Sequence, residues 1–340
     1  EEARRQVAAL VGAQPQEIVF TSGGTESDNT ALRGVASYLR ERGNHIVTTS
    51  IEHPAILRTC EQLEQEGFEI TYVPAGKDGV VKLDVLEAAI KDQTILISVM
   101  YINNETGTIQ PLARIGELAK SRKIIFHTDA VQAVGKIPLD VKQLGVDLLS
   151  LSSHKLHGPK GIGALFVRRG VRFNPLILGG PHERSRRAGT ENVPGVIGLG
   201  KACELARQGL ADFDTRVRGL RDRLENAVLE TIPDSSVNGS RTERAPHVTN
   251  LSFRGTEGEA LLISLDFQGI AVSTGSACSS GSLEPSHVLR ALAIPSDLIH
   301  GSIRFSLSRM NTEEDVDYAL DVLPKTIGRM REMSPLYRER

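Results

Sequence analysis

Lys155 stands in Leu149–Gly163, LSLSSHKLHGPKGIG. There Val146, Leu148, Leu149 and Leu151 run into small polar residues, a histidine, this lysine and a glycine-proline turn. A lysine at the mouth of a buried strand is expected to be partly desolvated, which lowers its pKa and frees a neutral amine for imine chemistry. Taken alone, such a lysine reads first as a solvated surface charge. One strand earlier, KIIFHTDAVQ (Lys123–Gln132) delivers Asp129 and Gln132 to a carboxyl end, where open α/β sheets bind ligands. Asp129 alone also fits a helix N-cap. Together, an aspartate and a lysine on successive strand ends form the pair that pyridoxal phosphate needs. The lysine makes the Schiff base, and the carboxylate keeps the pyridine nitrogen protonated so that the ring can take up electrons.

A seat for the phosphate follows Ile18–Phe20, where Thr21–Asp28 reads TSGGTESD ahead of a helical stretch. Gly23 and Gly24 permit a tight turn, and the free amides of a helix start attract an anion. Thr25 with Asp28 three residues on also fits a capping box, which needs no ligand. No Gly-Lys-Ser/Thr follows, so this is not a Walker A loop. Lys160 in GPKG sits past the turn, which favours Lys155 for the imine.

A candidate nucleophile lies far along the chain. Cys278 stands in AVSTGSACSSGS (Ala271–Ser282), among glycines and serines with no apolar frame, as expected for a reactive thiol on a loop. Cys60 and Cys203 sit at helical spacing from leucines and read as core residues. In Ser302–Leu307, Ile303, Phe305 and Leu307 point one way and Arg304 and Ser306 the other. Arg304 can therefore grip a carboxylate bidentately, or simply lie on the surface. His53 follows the strand His45–Ser50, where an imidazole can stack on a cofactor ring and move protons. Asn104, in NNETG after Thr94–Val99, offers amide donors at the next strand end or makes a turn.

The elements that must position these residues alternate. Strands are expected at Ile18–Phe20, His45–Ser50, Glu69–Val73, Thr94–Val99, in the segments holding Asp129 and Lys155, and at Gly163–Val167. Helices fall between them, including Pro54–Glu66, Lys82–Lys91 and Pro111–Ser121. This rhythm predicts an α/β fold with a largely parallel sheet flanked by helices. A long Arg- and Glu-rich helical pattern covers Val196–Thr231. After it His247–Phe253, Ile270–Ser273 and Ser302–Leu307 read as strands of a smaller α+β domain, with a helix at Pro285–Leu292. The expected boundary leaves a large domain at 1–210 and a small one at 211–340.

The 340 residues carry a net charge of −2, which points to neither nucleic acid nor an anionic membrane surface. No apolar run suits a membrane span and no signal-peptide pattern opens the chain. Three cysteines at unrelated spacings argue for a reducing, cytoplasmic setting, and without CxxC a structural zinc site is not expected. The opening helix, with Val7, Leu10 and Val11 at helical spacing, has no N-cap and no initiating Met, and reads as cut from a longer protein.

The motifs TSGGTESDN, SIEHPAI, NNETGTIQP, FHTDAVQAVGK, SSHKLHGPKGIGAL, RRAGTENVPG, STGSACSSGSLEPSHVLRAL and SIRFSLSR occur in that order. From the first residue to about Met333 the chain closely resembles the group I cysteine desulfurases of the NifS/IscS type, fold type I pyridoxal-phosphate enzymes of the class V aminotransferase family. RRAGTENV resembles the NifS-like branch more. The resemblance implies that Lys155 binds the cofactor covalently, Asp129 pairs with its ring nitrogen and Gln132 contacts its phenolic oxygen. His53 stacks on the ring and serves acid–base chemistry. Gly24, Thr25, Ser152 and His154 hold the phosphate, together with Thr190 from a neighbouring subunit, which makes a homodimer necessary. Asn104 lies near the substrate, Arg304 binds the carboxylate of L-cysteine, and Cys278 is the nucleophile that becomes a persulfide.

An iron–sulfur scaffold protein is the implied acceptor, with Cys278 as a transient iron–sulfur ligand shared with it and no resident metal. One departure stands out: the family opens with a YLDNNATT-type strand absent here, and a protein truly missing it is expected to fold poorly or be inactive. Two rival readings share the scaffold, a class V aminotransferase and a selenocysteine lyase; the first needs no loop thiol. A catalytically dead interaction protein is the third, and the joint presence of Lys155, Asp129, His53 and Cys278 argues against it.

Overall fold

Five strands of the first half, β1 (Ile18–Thr21), β2 (His45–Thr49), β4 (Thr94–Ser98), β6 (Leu148–Ser152) and β7 (Gly163–Val167), are buried at every residue. Continuous burial without alternation marks a sheet covered on both faces. The structure is a computed structural model, and it describes residues 1–274, 285–334 and 337. With β3 (Glu69–Val73) and β5 (Ile125–Asp129), these strands form a seven-stranded sheet in the order β1-β7-β6-β5-β4-β2-β3. Neighbours from β6 to β3 are parallel, and β7 runs antiparallel to both β6 and β1. The carboxyl ends of β1, β2, β4, β5 and β6 therefore meet one edge.

Helices α1 (Glu2–Val11), α2 (Gly24–Leu39), α3 (Pro54–Gln65), α4 (Leu83–Ala88), α5 (Leu112–Ser121), α6 (Val141–Leu144) and α7 (Val193–Gln208) connect and flank these strands. One core packs Leu32 and Val35 of α2 and Ile56, Cys60 and Leu63 of α3 against Ile46, Leu96, Leu148 and Leu165 of the sheet. Cys60 and Cys203 are both fully buried, as their helical spacing predicts.

The chain divides into two compact units. The first comprises Glu1–Pro74, Val81–Asn103 and Gln110–Leu210; the second comprises Ala75–Val80, Asn104–Ile109 and Ala211–Arg340. Two short excursions from the first half thus belong with the C-terminal half, and Asn104 goes with them. In the second unit α8 (Arg218–Thr231), α9 (Gly258–Asp266) and α12 (Glu313–Met333) pack on a three-stranded antiparallel sheet. That sheet runs β10-β9-β8, from Ser302–Ser306, Val248–Phe253 and Ser235–Val237. Its core includes Leu224, Val228, Leu251, Phe253, Leu261, Ile303 and Leu323. Two short helices, α10 (His287–Ala291) and α11 (Ser296–Ile299), lie between α9 and β10.

Several sequence expectations change. The helical pattern over 196–231 is interrupted only at Gly209: α7 ends at Gln208, and the chain is helical again from Leu210, through a wider π-helical turn at Phe213–Val217, into α8 at Arg218. Helix α4 stops at Ala88, short of Lys91, and α10 covers His287–Ala291 only. Ile270–Ser273 is not a strand; Ser273 makes a single bridge to Arg304. The capping-box reading of Thr25 with Asp28 also fails. The N-cap is Gly23, Asp28 is buried at 1% exposure, and the side chain reaching back is Glu26, which accepts from the Ser22 amide at 2.8 Å.

Candidate functional site

The carboxyl edge of the large sheet gathers most of the residues singled out above. Helix α2 starts at Gly24 with no side chain capping its N-terminus, so its first amides are available to an anion. Glycines bring strand and helix together here. A Cβ on Gly163, the first residue of β7, would stand 2.7 Å from Gly23 Cα and 2.6 Å from the Leu151 carbonyl. One on Gly24 would stand 2.8 Å from Val131 Cγ2. Ser152, at the end of β6 and opposite Gly163, is buried, and its Oγ lies 2.8 Å from Nδ1 of His154. Burial lowers the His154 imidazole below its ordinary pKa, and Lys155, Lys136 and Lys160 push it further down. A bare helix start, a hydroxyl, an imidazole and three ammonium groups together fit a phosphate.

Asp129 ends β5 at 6% exposure, and its Oδ1 accepts from the Val131 amide at 2.9 Å. Burial pushes its carboxyl above the usual range, opposed by that amide and by the charges of His53 and Lys155. A carboxyl so placed fits a cationic ring nitrogen, which would draw it back to the ionised form.

Lys155 follows β6 in a 3-10 turn, Ser153–Leu156. It is exposed, so the desolvation expected from its strand-end position is not found in the chain by itself. Its charge acts on both Asp129 and His154, and that of the neighbouring Lys160 acts on His154. His53 is the N-cap of α3: its Nδ1 accepts from the Ala55 amide at 3.1 Å, which leaves the proton of a neutral ring on Nε2. It lines an open cavity of about 400 Å³ with Thr25, Asn29, Arg33 and Arg58. Gln132 accepts from Lys136 Nζ at 2.9 Å.

Thr190 is exposed and lines a cavity of about 130 Å³ with Thr21, Ser22 and Gly161. The loop before it is strained. Glu183, Arg184 and Ser185 have φ of 46°, 58° and 61°, a left-handed run held by paired bonds from Arg4 to Glu183 at 2.9 and 2.7 Å.

Sequence reasoning passed over a second buried layer. Glu52 is fully buried; its Oε1 accepts from Thr49 Oγ1 at 2.8 Å and the Met100 amide at 2.9 Å, and burial raises its carboxyl to about 8. Asp28 and His127 are buried with it. The available signal was polarity where the pattern calls for apolar residues: Asp28 on the inner face of α2, and His127 two residues before Asp129.

In the second unit the strand alternation holds, with Ile303, Phe305 and Leu307 buried. Arg304 pairs in register with Asn250, its backbone exchanges two bonds with Ser273, and its Nη1 donates to the Asn104 carbonyl at 2.8 Å. Glu105, next along, accepts from Ser286, the N-cap of α10, at 2.5 Å. Cys278 lies outside the described residues.

Fold and site define a pyridoxal-phosphate type of α/β enzyme, and the family model of class V aminotransferases matches residues 1–319. The chain belongs to that family and, within it, to the cysteine desulfurases. A cysteine desulfurase IscS of Methanosarcina thermophila is 56% identical over 98% of this chain and 82% of its own length. A cysteine desulfurase of a Nostoc species is 55% identical over 98% and 83%. Among solved structures, a NifS-like protein superposes with a TM-score of 0.88 at 38% identity, covering 98% of this chain and 86% of its own. A structure described as SspA in complex with cysteine gives 0.79 at 37%, covering 90% and 85%.

Proposed function

We propose that the chain removes sulfur from L-cysteine with pyridoxal phosphate, releasing L-alanine and leaving the sulfur on Cys278. The observation that supports this most is the meeting of an uncapped helix start, Ser152 and His154 with buried Asp129 and Lys155 at one sheet edge. Pyridoxal phosphate, when bound, supplies an electron sink that acidifies the Cα proton of an attached amino acid.

The chain's own residues do the rest. The amides of Gly24 and Thr25, with Ser152 and His154, would hold the phosphate; Asp129 would keep a proton on the ring nitrogen; Gln132 and Asn104 would contact ring oxygens and substrate. Lys155 would anchor the cofactor and, once free as a neutral amine, would take the proton from the substrate Cα. His53 would stack on the cofactor ring, with Nε2–H as its proton donor. Arg304 takes the substrate carboxylate. The Cys278 thiolate bonds to the substrate sulfur as the Cβ–S bond breaks; the electron pair and a proton go to Cβ, alanine departs, and Cys278 keeps the persulfide. An ordinary thiol, with pKa about 8.5, needs a base nearby to ionise at neutral pH.

Thr190 would come from a partner copy in a homodimer. The exposed apolar side chains Leu178, Val193 and Ile197 flank it in the sequence and support such a dimer. The acceptor of the persulfide is read as an iron–sulfur scaffold protein in the cytoplasm, with Cys278 a transient iron–sulfur ligand. Among the described residues no helix is long and apolar enough to cross a membrane. Alanine release from L-cysteine, followed by mass analysis of the chain, tests the proposal. The expected gain is about 32 Da, one sulfur atom, on the peptide holding Cys278. Alanine formation with no sulfur on that peptide would sink the assigned nucleophile.

A further inference from the structure

Beside Asp129 the protein keeps a set of buried polar groups that the proposed chemistry leaves unused. His127 lies two residues earlier on β5 and therefore on the same face of the sheet. Its ring is fully buried: Nδ1 is 2.9 Å from Ser98 Oγ, and Nε2 is 3.0 Å from Ser150 Oγ and 3.6 Å from Asp28 Oδ1. Asp28 comes from the inner face of α2, and its Oδ1 makes no hydrogen bond. The groups that face Asp28 are Asp129, Glu52, Ser150 and His127.

No lysine or arginine among the described residues pairs with Asp28, so a carboxylate there would meet two further carboxyls across a dry interior. That arrangement costs several kcal/mol and is avoided by keeping the proton. Asp129 differs, because His53 and Lys155 face it. Both contacts of the His127 ring accommodate the matching tautomer. If Asp28 supplies a proton toward Nε2 through Ser150, then Nε2 accepts and Nδ1–H donates to Ser98. Burial drives both groups toward their neutral forms, Asp28 well above the carboxylate range and His127 down to about 3.

We propose that Asp28 and His127 are positioning residues for Asp129. Asp28 remains a neutral acid donating toward Nε2 of a neutral His127, so that at neutral pH Asp129 alone of these buried groups presents a charge to the cofactor's ring nitrogen. The proposal deepens the cofactor reading above and rests on it.

Two variants and two readouts test it. Asp28→Asn keeps a neutral donor of the same shape, whereas Asp28→Leu keeps the volume and removes the donor. In the holoenzyme, Asp28→Asn should hold pyridoxal phosphate within about threefold of wild type. It should also leave the pH midpoint of the cofactor's visible absorption within about 0.3 unit. Asp28→Leu, with its circular dichroism spectrum retained, should lose roughly tenfold or more in cofactor affinity. A midpoint shift of about a unit or more in Asp28→Asn would mean that Asp28 is ionised, and overturns the proposal. A wild-type affinity in Asp28→Leu would overturn it too.

The second readout needs no cofactor. Nitrogen-15 spectra of the whole chain should show the His127 ring neutral and protonated on Nδ1 throughout pH 6 to 9, values set by the ordinary imidazole range of about 6.5. An imidazolium at pH 7, or the Nε2–H tautomer, refutes the pair. A wild-type chain that takes up no pyridoxal phosphate would instead refute the function, with the His127 spectrum still deciding this inference.

Discussion

Glu52 gives the sharpest test of the buried layer. Its carboxyl is raised from 4.5 to about 8 because burial outweighs the bonds from Thr49 and the Met100 amide, and Asp129 adds repulsion. In the unfolded chain Glu52 loses its proton near the ordinary value; in the folded chain it keeps that proton until about pH 8. Between those limits the native state binds more protons, so stability falls as pH rises across the window and levels off above it. Each unit is worth about 1.4 kcal/mol, so from pH 5 to pH 8 the loss from this one group is roughly 4 kcal/mol. Glu52→Gln keeps the shape and an acceptor oxygen for Thr49 and Met100 but cannot titrate. Urea unfolding of the cofactor-free chain at successive pH values should therefore show wild type losing roughly 4 kcal/mol relative to the variant over that span. A constant gap between the two proteins across pH 5 to 8 would show that Glu52 ionises like an exposed carboxylate, and the account of the buried layer would be wrong.

Lys155→Ala should abolish borohydride fixation of pyridoxal phosphate while Lys160→Ala retains it; label recovered on Lys160 would reverse the choice between the two lysines. Gly163→Ala drives a methyl group against the Leu151 carbonyl and the Gly23 backbone. It should lower thermal stability by about 1–3 kcal/mol and weaken cofactor binding, and a wild-type melting curve would refute the contact. Arg304→Lys loses the planar fork and should raise KM for L-cysteine by about tenfold with a smaller change in kcat. An unchanged KM would remove Arg304 from the substrate site.

The strands of the large sheet were legible because both their faces are covered, so each appears as a short unbroken apolar run between turn residues. Asp129 was legible for the same reason: it interrupts such a run at its end. Burial of Cys60 and Cys203 followed from helical spacing. What escaped was set by contacts between distant segments. Nothing local in Asn104–Ile109 announces that it belongs with the C-terminal half, since its partners, Asn250 and Arg304, lie far along the chain. Asp28 was misjudged because a Thr-x-x-Asp spacing fits a cap, and only packing against His127 turns that carboxyl inward. Lys155 was expected to be desolvated from its place after β6; the turn that follows lifts it out into solvent instead. Cys278 lies outside the described residues and keeps the standing of a reading from its neighbours in sequence.

The full burial of Cys60 and Cys203 reaches beyond packing. Their thiols are pushed up, Cys203 to about 12, so neither ionises under conditions in which enzymes work. An alkylating reagent added to the native chain therefore finds both closed, and a titrated stoichiometry reports on the remaining sulfhydryl alone. The interior has made two of the three thiols chemical bystanders, so any alkylating label that the native chain takes up on a thiol has one address without deleting any residue.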